Sequence, residues 1–240
     1  MSLEACVALV RRADPDRAAA AELASVDVQK VLWPLYAMNV EVSRAPWVTQ
    51  EPMIAEMRLQ WWRDALEEIA EGRAVRSHEV TTPLAEAIGP EEARLLDKLV
   101  AARRWDIYSD AFEDEAALLR YLDDTAAGLM VVAASAIDAP NPDALKAYGR
   151  AVGLARFLQA APELDARGRK PLLDGTPAGI KTLCEKVLSD MPAKPEPRDV
   201  TREGWQARAL LRLAIAQPTR VADGTLVLSE FSKRWRLLLF

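Results

Sequence analysis

Few residues of this 240-residue chain have the types and spacing that chemistry needs, and carboxylates come first. Asp123 and Asp124 are adjacent, and Glu163 is followed two positions later by Asp165. A divalent cation needs oxygen ligands converging from one side, which a helix supplies from positions three or four apart. Neighbours on a helix diverge by roughly 100°, so Asp123 and Asp124 read more simply as a solvated or locally salt-bridged pair. Pro162 should interrupt any helix presenting Glu163 and Asp165. Asp165, Arg167 and Arg169 then read as a loop closure, with residual anion binding as the functional alternative. His78 is the one histidine, and Cys6 and Cys184 are the two cysteines. That set fills neither a zinc site nor a disulfide pattern, and it suits a reducing compartment.

Arginines are the second resource. Arg17, Arg44, Arg58, Arg63, Arg150 and Arg156 would make a metal-free anion site if the fold brought them together; otherwise they are solvated or ion-paired. Tyr36 and Tyr121 suit either a pocket rim or the core.

The elements that must position these residues are helical almost throughout. Alanine, leucine, glutamate and arginine dominate, all good helix formers, and period-two strand patterns are absent. The pattern predicts helices over 16–24, 28–45, 51–71, 91–112, 115–137, 142–160, 175–188, 201–216 and 228–238. Asp14-Pro15 and Gly89-Pro90-Glu91-Glu92 are helix starts, and Pro46 should close the second helix. In the third helix, Ile54, Met57, Trp61 and Ala65 or Leu66 fall near one stripe, broadened by Trp62 and Ile69; this is the pattern of a helix buried in a bundle. Pro192, Pro195 and Pro197 make 192–198 a proline-rich loop before the C-terminal helices. The expectation is one domain over 1–240.

Half the residues are hydrophobic and 28% are charged, which excludes a disordered chain. The net charge of −5 and the lack of a basic stripe argue against a nucleic-acid binder; only 233–236 is locally basic. The apolar run 129–137 is too short to span a bilayer. The start carries no secretory pattern, so the expected location is cytoplasmic, with peripheral contact at the inner face of a membrane left open.

Several segments in order resemble the squalene/phytoene synthase family over about residues 15–175. LYAMNVE at 35–41 resembles the helix that carries the first aspartate-rich motif. EMRLQWWRDAL at 56–66, the most specific element, resembles the next family helix. YLDDTAAG at 121–128 is similar to the segment beside the prenyl cavity. GRAVGLARFL at 149–158 and DARGR at 165–169 resemble the helix and the end of the second aspartate-rich motif. FSKRWRLLLF at 231–240 is similar to a divergent branch that includes mitochondrial complex I assembly factors.

The resemblance implies an all-α, isoprenoid-synthase-like helical bundle around an apolar central cavity. In the family's enzymes, aspartates on two facing helices hold magnesium ions that engage prenyl diphosphates, and magnesium neutralises the leaving diphosphate. Here the first motif is matched by Ser43-Arg44-Ala45-Pro46-Trp47, without a carboxylate. Glu41 is the nearest acid, and Asp165 matches the last aspartate of the second motif. On this resemblance no catalytic residue and no metal ligand is assigned. Tyr36, Glu41, Arg44, Arg58, Arg63, Tyr121, Arg156 and Asp165 are the candidate cavity or anion-binding residues. No cofactor is expected; Mg2+ enters only under the alternative reading, a prenyl diphosphate transferase with an altered site. The favoured reading is a non-catalytic protein that binds an isoprenoid or other lipid, or assists assembly of a membrane-associated respiratory complex. A helical protein with a collapsed cavity is the third.

Overall fold

The computed structural model describes residues 3–49, 51–108, 110–139 and 141–240. The chain opens with α1 (Leu3–Ala13), α2 (Pro15–Ala21) and α3 (Val26–Arg44), followed by a 3-10 turn at Ala45–Trp47. Next come α4 (Pro52–Ala70), α5 (Thr81–Ala87), α6 (Pro90–Ala102) and a 3-10 turn at Arg103–Asp106. α7 (Glu115–Leu122) continues through a π-helical turn at Asp123–Ala127 into α8 (Gly128–Ser135), and α9 (Pro142–Ala166) follows. The chain closes with α10 (Pro177–Asp190), α11 (Arg198–Thr201), α12 (Ala207–Ala216), α13 (Thr219–Ala222) and α14 (Glu230–Leu238). Among the described residues there is no strand, as expected for an all-α chain.

Local chemistry sets the boundaries. Asp14 caps α2, its Oδ1 accepting from the Arg17 N–H at 3.0 Å, ahead of Pro15 at the first helical position. Arg44 ends α3 just before Pro46, as the sequence predicts. Residues 191–197 form a loop ahead of α11. The segments at 3–13 and 81–87, unassigned from sequence, are helices that bury Cys6, Leu9 and Val10, and Thr81, Pro83 and Leu84.

Three expectations need correction. α9 runs through Pro162 to Ala166 instead of breaking there. An interior proline costs a helix about 3 kcal/mol; burial of Leu158, Ala161 and Leu164 on one face of α9 offsets it. The predicted helix over 91–112 stops at Ala102, because the chain tightens into the 3-10 turn that buries Asp106. The stripe on α4 is rotated: Ala55, Leu59, Trp62, Leu66 and Ile69 are buried, whereas Met57 is 66% exposed and Ile54 44%. Both stripes obey the helical period, and the buried one is set by packing against α6, a partner that a single-helix pattern does not reveal.

The buried apolar residues form one continuous cluster from Cys6 to Leu226, with α3, α8 and α9 at its centre. α9 lies close against the π-helical turn. A Cβ on Gly149 would come within 2.6 Å of the Ala127 Cα, so this approach of two backbones requires glycine. No helix among the described residues is long and apolar enough to cross a membrane.

Candidate functional site

A central cleft of about 280 Å³ opens between α3 and α9. α3 and its 3-10 turn present Asn39, Ser43 and Trp47 to it, four residues apart and so on one helical face. α9 presents Gly153, Arg156, Phe157, Ala160 and Leu164, again one face. The segments 39–47 and 153–164 thus share a cavity, and neither turns a carboxylate into it.

The charges in the cleft come from other elements and are matched. The Arg17 Nε donates to Glu203 Oε2 at 2.8 Å, in a pair almost wholly removed from water. Arg17 Nη1 and Arg156 Nη1 each approach Asp14 Oδ2 at 3.4 Å. Arg156 Nη2 also reaches the Glu203 carbonyl at 3.5 Å. On the opposite side, Arg103 Nη1 sits 3.1 Å from Asp106 Oδ2 and donates to the Tyr121 hydroxyl at 2.8 Å. The Tyr121 hydroxyl in turn donates to Asp106 Oδ1 at 2.7 Å. Three arginines therefore meet three carboxylates. Burial opposes the Arg17 charge, but Glu203 and Asp14 more than restore it, so its pKa stands above the ordinary value. Burial also raises the Tyr121 pKa, which keeps its hydroxyl protonated and able to donate.

Aromatic packing limits the space. The Trp105 and Phe112 rings stack with centroids 4.1 Å apart, and Tyr121 and Phe157 lie 5.5–6.1 Å from them. At the edge of the cleft, Trp47 carries the Arg167 guanidinium 4.6 Å from its ring centroid and that of Arg169 at 4.9 Å. Cation–π contacts thus join the two segments that resemble the aspartate-rich motifs.

Of the residues singled out from sequence, Tyr121, Arg156 and, from the wider arginine set, Arg17 line this cleft. Arg44 lines an adjoining depression with Asn39 and Ser43, and is 3.8 Å from Glu41. Tyr36 is buried behind the cleft, beneath the Arg17 guanidinium at 5.0 Å. Arg63 belongs elsewhere, paired bidentately with Asp97 in the groove between α4 and α6 at 2.7 and 3.1 Å. Arg58 and Asp165 are exposed and outside the cleft lining, and Glu41 likewise does not line it. Of the wider arginine set, Arg150 is spent on Asp123, with two bonds of 2.7 Å. Sequence reasoning missed Asp14, Arg103 and Asp106 as cleft residues, and Glu203 as the buried partner of Arg17 behind the lining. Asp14 had a signal, its place before Pro15, but that signal spoke only of a helix cap. His78 accepts from the Val80 N–H at 3.2 Å and packs edge-on against Trp61 and Trp62, a structural place in a turn.

Magnesium, which the fold's enzymes imply, finds no matching donor set. Among the described residues, no group of three or more histidine, cysteine, aspartate or glutamate side chains is arranged to hold a metal ion. The three acids near the cleft are each engaged by an arginine.

Fold and site together define a helical isoprenoid-synthase-like protein whose central cleft is lined by ion pairs. A model of the squalene/phytoene synthase family matches residues 10–173, and the chain belongs to that family. It is 29% identical over 178 residues to a Drosophila melanogaster protein described as a homolog of NADH dehydrogenase (ubiquinone) complex I assembly factor 6. That match covers 70% of this chain and 53% of the relative, so the chain spans about half the length of that protein. A crystal structure of a dehydrosqualene synthase in complex with ligand superposes with a TM-score of 0.78 at 14% identity, over 99% of this chain and 94% of that one. At such low identity the likeness speaks for the fold.

Proposed function

We propose that this chain is a non-catalytic member of its family that assists assembly of a membrane-bound respiratory NADH dehydrogenase complex. One observation carries the first half: the faces that α3 and α9 turn to the central cleft hold Asn39, Ser43, Trp47, Arg156 and Ala160, with no carboxylate among them. A departing diphosphate needs concentrated positive charge from metal ions, and those ions need acids. Where the motif resemblance expects aspartates at 43, 44 and 47, this chain has Ser43, Arg44 and Trp47. The second half rests on the relative described as a complex I assembly factor homolog.

The transferase alternative would have to free Asp14, Asp106 and Glu203 from Arg17, Arg103 and Arg156, leaving buried charges uncompensated. Two assays test the reading. Incubated with farnesyl or geranylgeranyl diphosphate in magnesium, the protein releases pyrophosphate no faster than a no-protein control; turnover that disappears in Asp14→Ala or Asp106→Ala would refute the non-catalytic half. Cells lacking the chain show less assembled NADH dehydrogenase on native gels of their membranes, restored by re-expression; an unchanged level would refute the assembly half.

A further inference from the structure

A second groove, about 450 Å³ in volume, lies between α14 and the body of the bundle. α14 is held over it by polar contacts. Lys233 sits 3.7 Å from Asp16, and Lys194 and Arg198 donate to the carbonyl of Phe240 at 3.1 and 2.9 Å. The helix buries none of its residues. Its groove-facing side carries Phe231, Trp235 and Leu239, and Trp205 and Met191 face them from the body. Phe231 is 79% exposed and Trp235 56%, so an apolar helix face stands beside an apolar wall with space between them. Water filling that space gains little from either side.

Two observations bear on the chemistry of a ligand that would suit it. Lys194, Arg208 and Arg236 line the groove, and no aspartate or glutamate does. None of the three is ion-paired with an aspartate or glutamate among the described residues: Arg208 donates to the carbonyls of Met191 and Pro192 at 2.8 Å each, and Arg236 Nε to the Ser232 hydroxyl at 3.2 Å. Lys194 is taken up by the Leu239 and Phe240 oxygens at 2.6 and 3.1 Å, so it is Arg208 and Arg236 that bring positive charge without a carboxylate partner to an apolar slot. Second, Tyr148 of α9 reaches the groove although it is only 2% exposed, and its hydroxyl has no hydrogen-bond partner among the described residues. The hydroxyl meets the open groove, where it can donate to a ligand's acceptor. Gly204 holds the ring there: a Cβ at that position would fall 2.6 Å from Tyr148 Cε1 and 2.8 Å from its hydroxyl oxygen.

We propose that this groove binds a single long-chain anionic amphiphile, its tail between Trp205 and the Phe231–Trp235–Leu239 face and its carboxylate or phosphate head at Arg208, Arg236 and the Tyr148 hydroxyl. The site is separate from the central cleft. It goes beyond the assembly reading and does not depend on it, so either stands if the other fails.

Displacement of a fluorescent long-chain carboxylate, 11-(dansylamino)undecanoate, tests it on the full chain. Palmitate and hexadecyl phosphate, each below its micelle concentration, displace the probe; hexadecanol is weaker by tenfold or more, on the order of one charged hydrogen bond; inorganic phosphate alone does not compete. Tyr148→Phe, which keeps the ring, weakens palmitate about threefold to tenfold. Phe231→Ser combined with Trp235→Ser abolishes probe binding while leaving the melting temperature unchanged, since α14 buries no side chain. Equal competition by hexadecanol, or full binding by the doubly substituted protein, would overturn the proposal. So would a protein that binds phosphatidylglycerol vesicles but gives no displacement with monomeric palmitate, because that outcome makes α14 a surface anchor and the groove incidental.

Discussion

Arg17 shows how a single side chain decides what the central cleft can do. Its guanidinium lies under 5% exposure against Glu203 and Asp14, over the ring of Tyr36. A buried charge left without its partner is worse than no charge at all. Arg17→Met should therefore cost about 3–5 kcal/mol in denaturant unfolding. Adding Glu203→Leu to that variant should recover part of the loss; a second loss of similar size would show that the two residues are not coupled. A wetter pair gives a pH signature. Arg76 holds the Glu68 carboxyl down from its ordinary 4.5 to about 2, chiefly by direct hydrogen bonds, the shortest 2.7 Å. A carboxylate with a depressed folded pKa contributes stability that is fully present above its unfolded pKa and fades as pH falls through the folded one. The stability gap between the natural protein and Glu68→Gln should thus be steady above about pH 5 and close on the way down to about 2. A gap independent of pH over that window would contradict the pairing. Neither network was legible beforehand: Arg17 meets Glu203 across 186 positions of chain, and a distance in sequence carries no sign of such a meeting.

At the scale of elements, the sequence spoke more clearly about existence than orientation. Helix formers and prolines marked α2, α3, α4, α6 and α9, because those signals are local. The buried side of α4 depends on α6, and there the apolar residues on both sides made two stripes plausible. Trp62, 5% exposed, is the test residue. Trp62→Ala should cost about 3–5 kcal/mol, while Met57→Ala should stay within about 0.5 kcal/mol as a surface change. Equal costs would restore the stripe through Met57. α9 taught the opposite lesson. Pro162 is a strong local breaker, but a helix whose Leu158, Ala161 and Leu164 are packed in the core tolerates the missing hydrogen bond. That continuity is why Ala160 and Leu164 face the cleft while Asp165 points away from it.

At the scale of the whole molecule, the bundle keeps the architecture of its family and alters the cleft's electrostatics. The fold was readable from the order of five short motifs, since helices and their sequence survive when single side chains change. The loss of acids at 43–47 was readable too. Their replacement by a balanced set of arginines and carboxylates was not, because Asp14, Asp106 and Glu203 come from three distant elements. With its acids held by arginines, the cleft cannot assemble a multi-metal diphosphate site. Electron paramagnetic resonance of Mn2+ titrated into the protein with a non-hydrolysable farnesyl thiodiphosphate measures this directly. The free Mn2+ signal should fall only as far as it does with the thiodiphosphate alone; a further loss corresponding to two or three ions per chain, removed by Asp14→Ala or Asp106→Ala, would show that the cleft does hold metal.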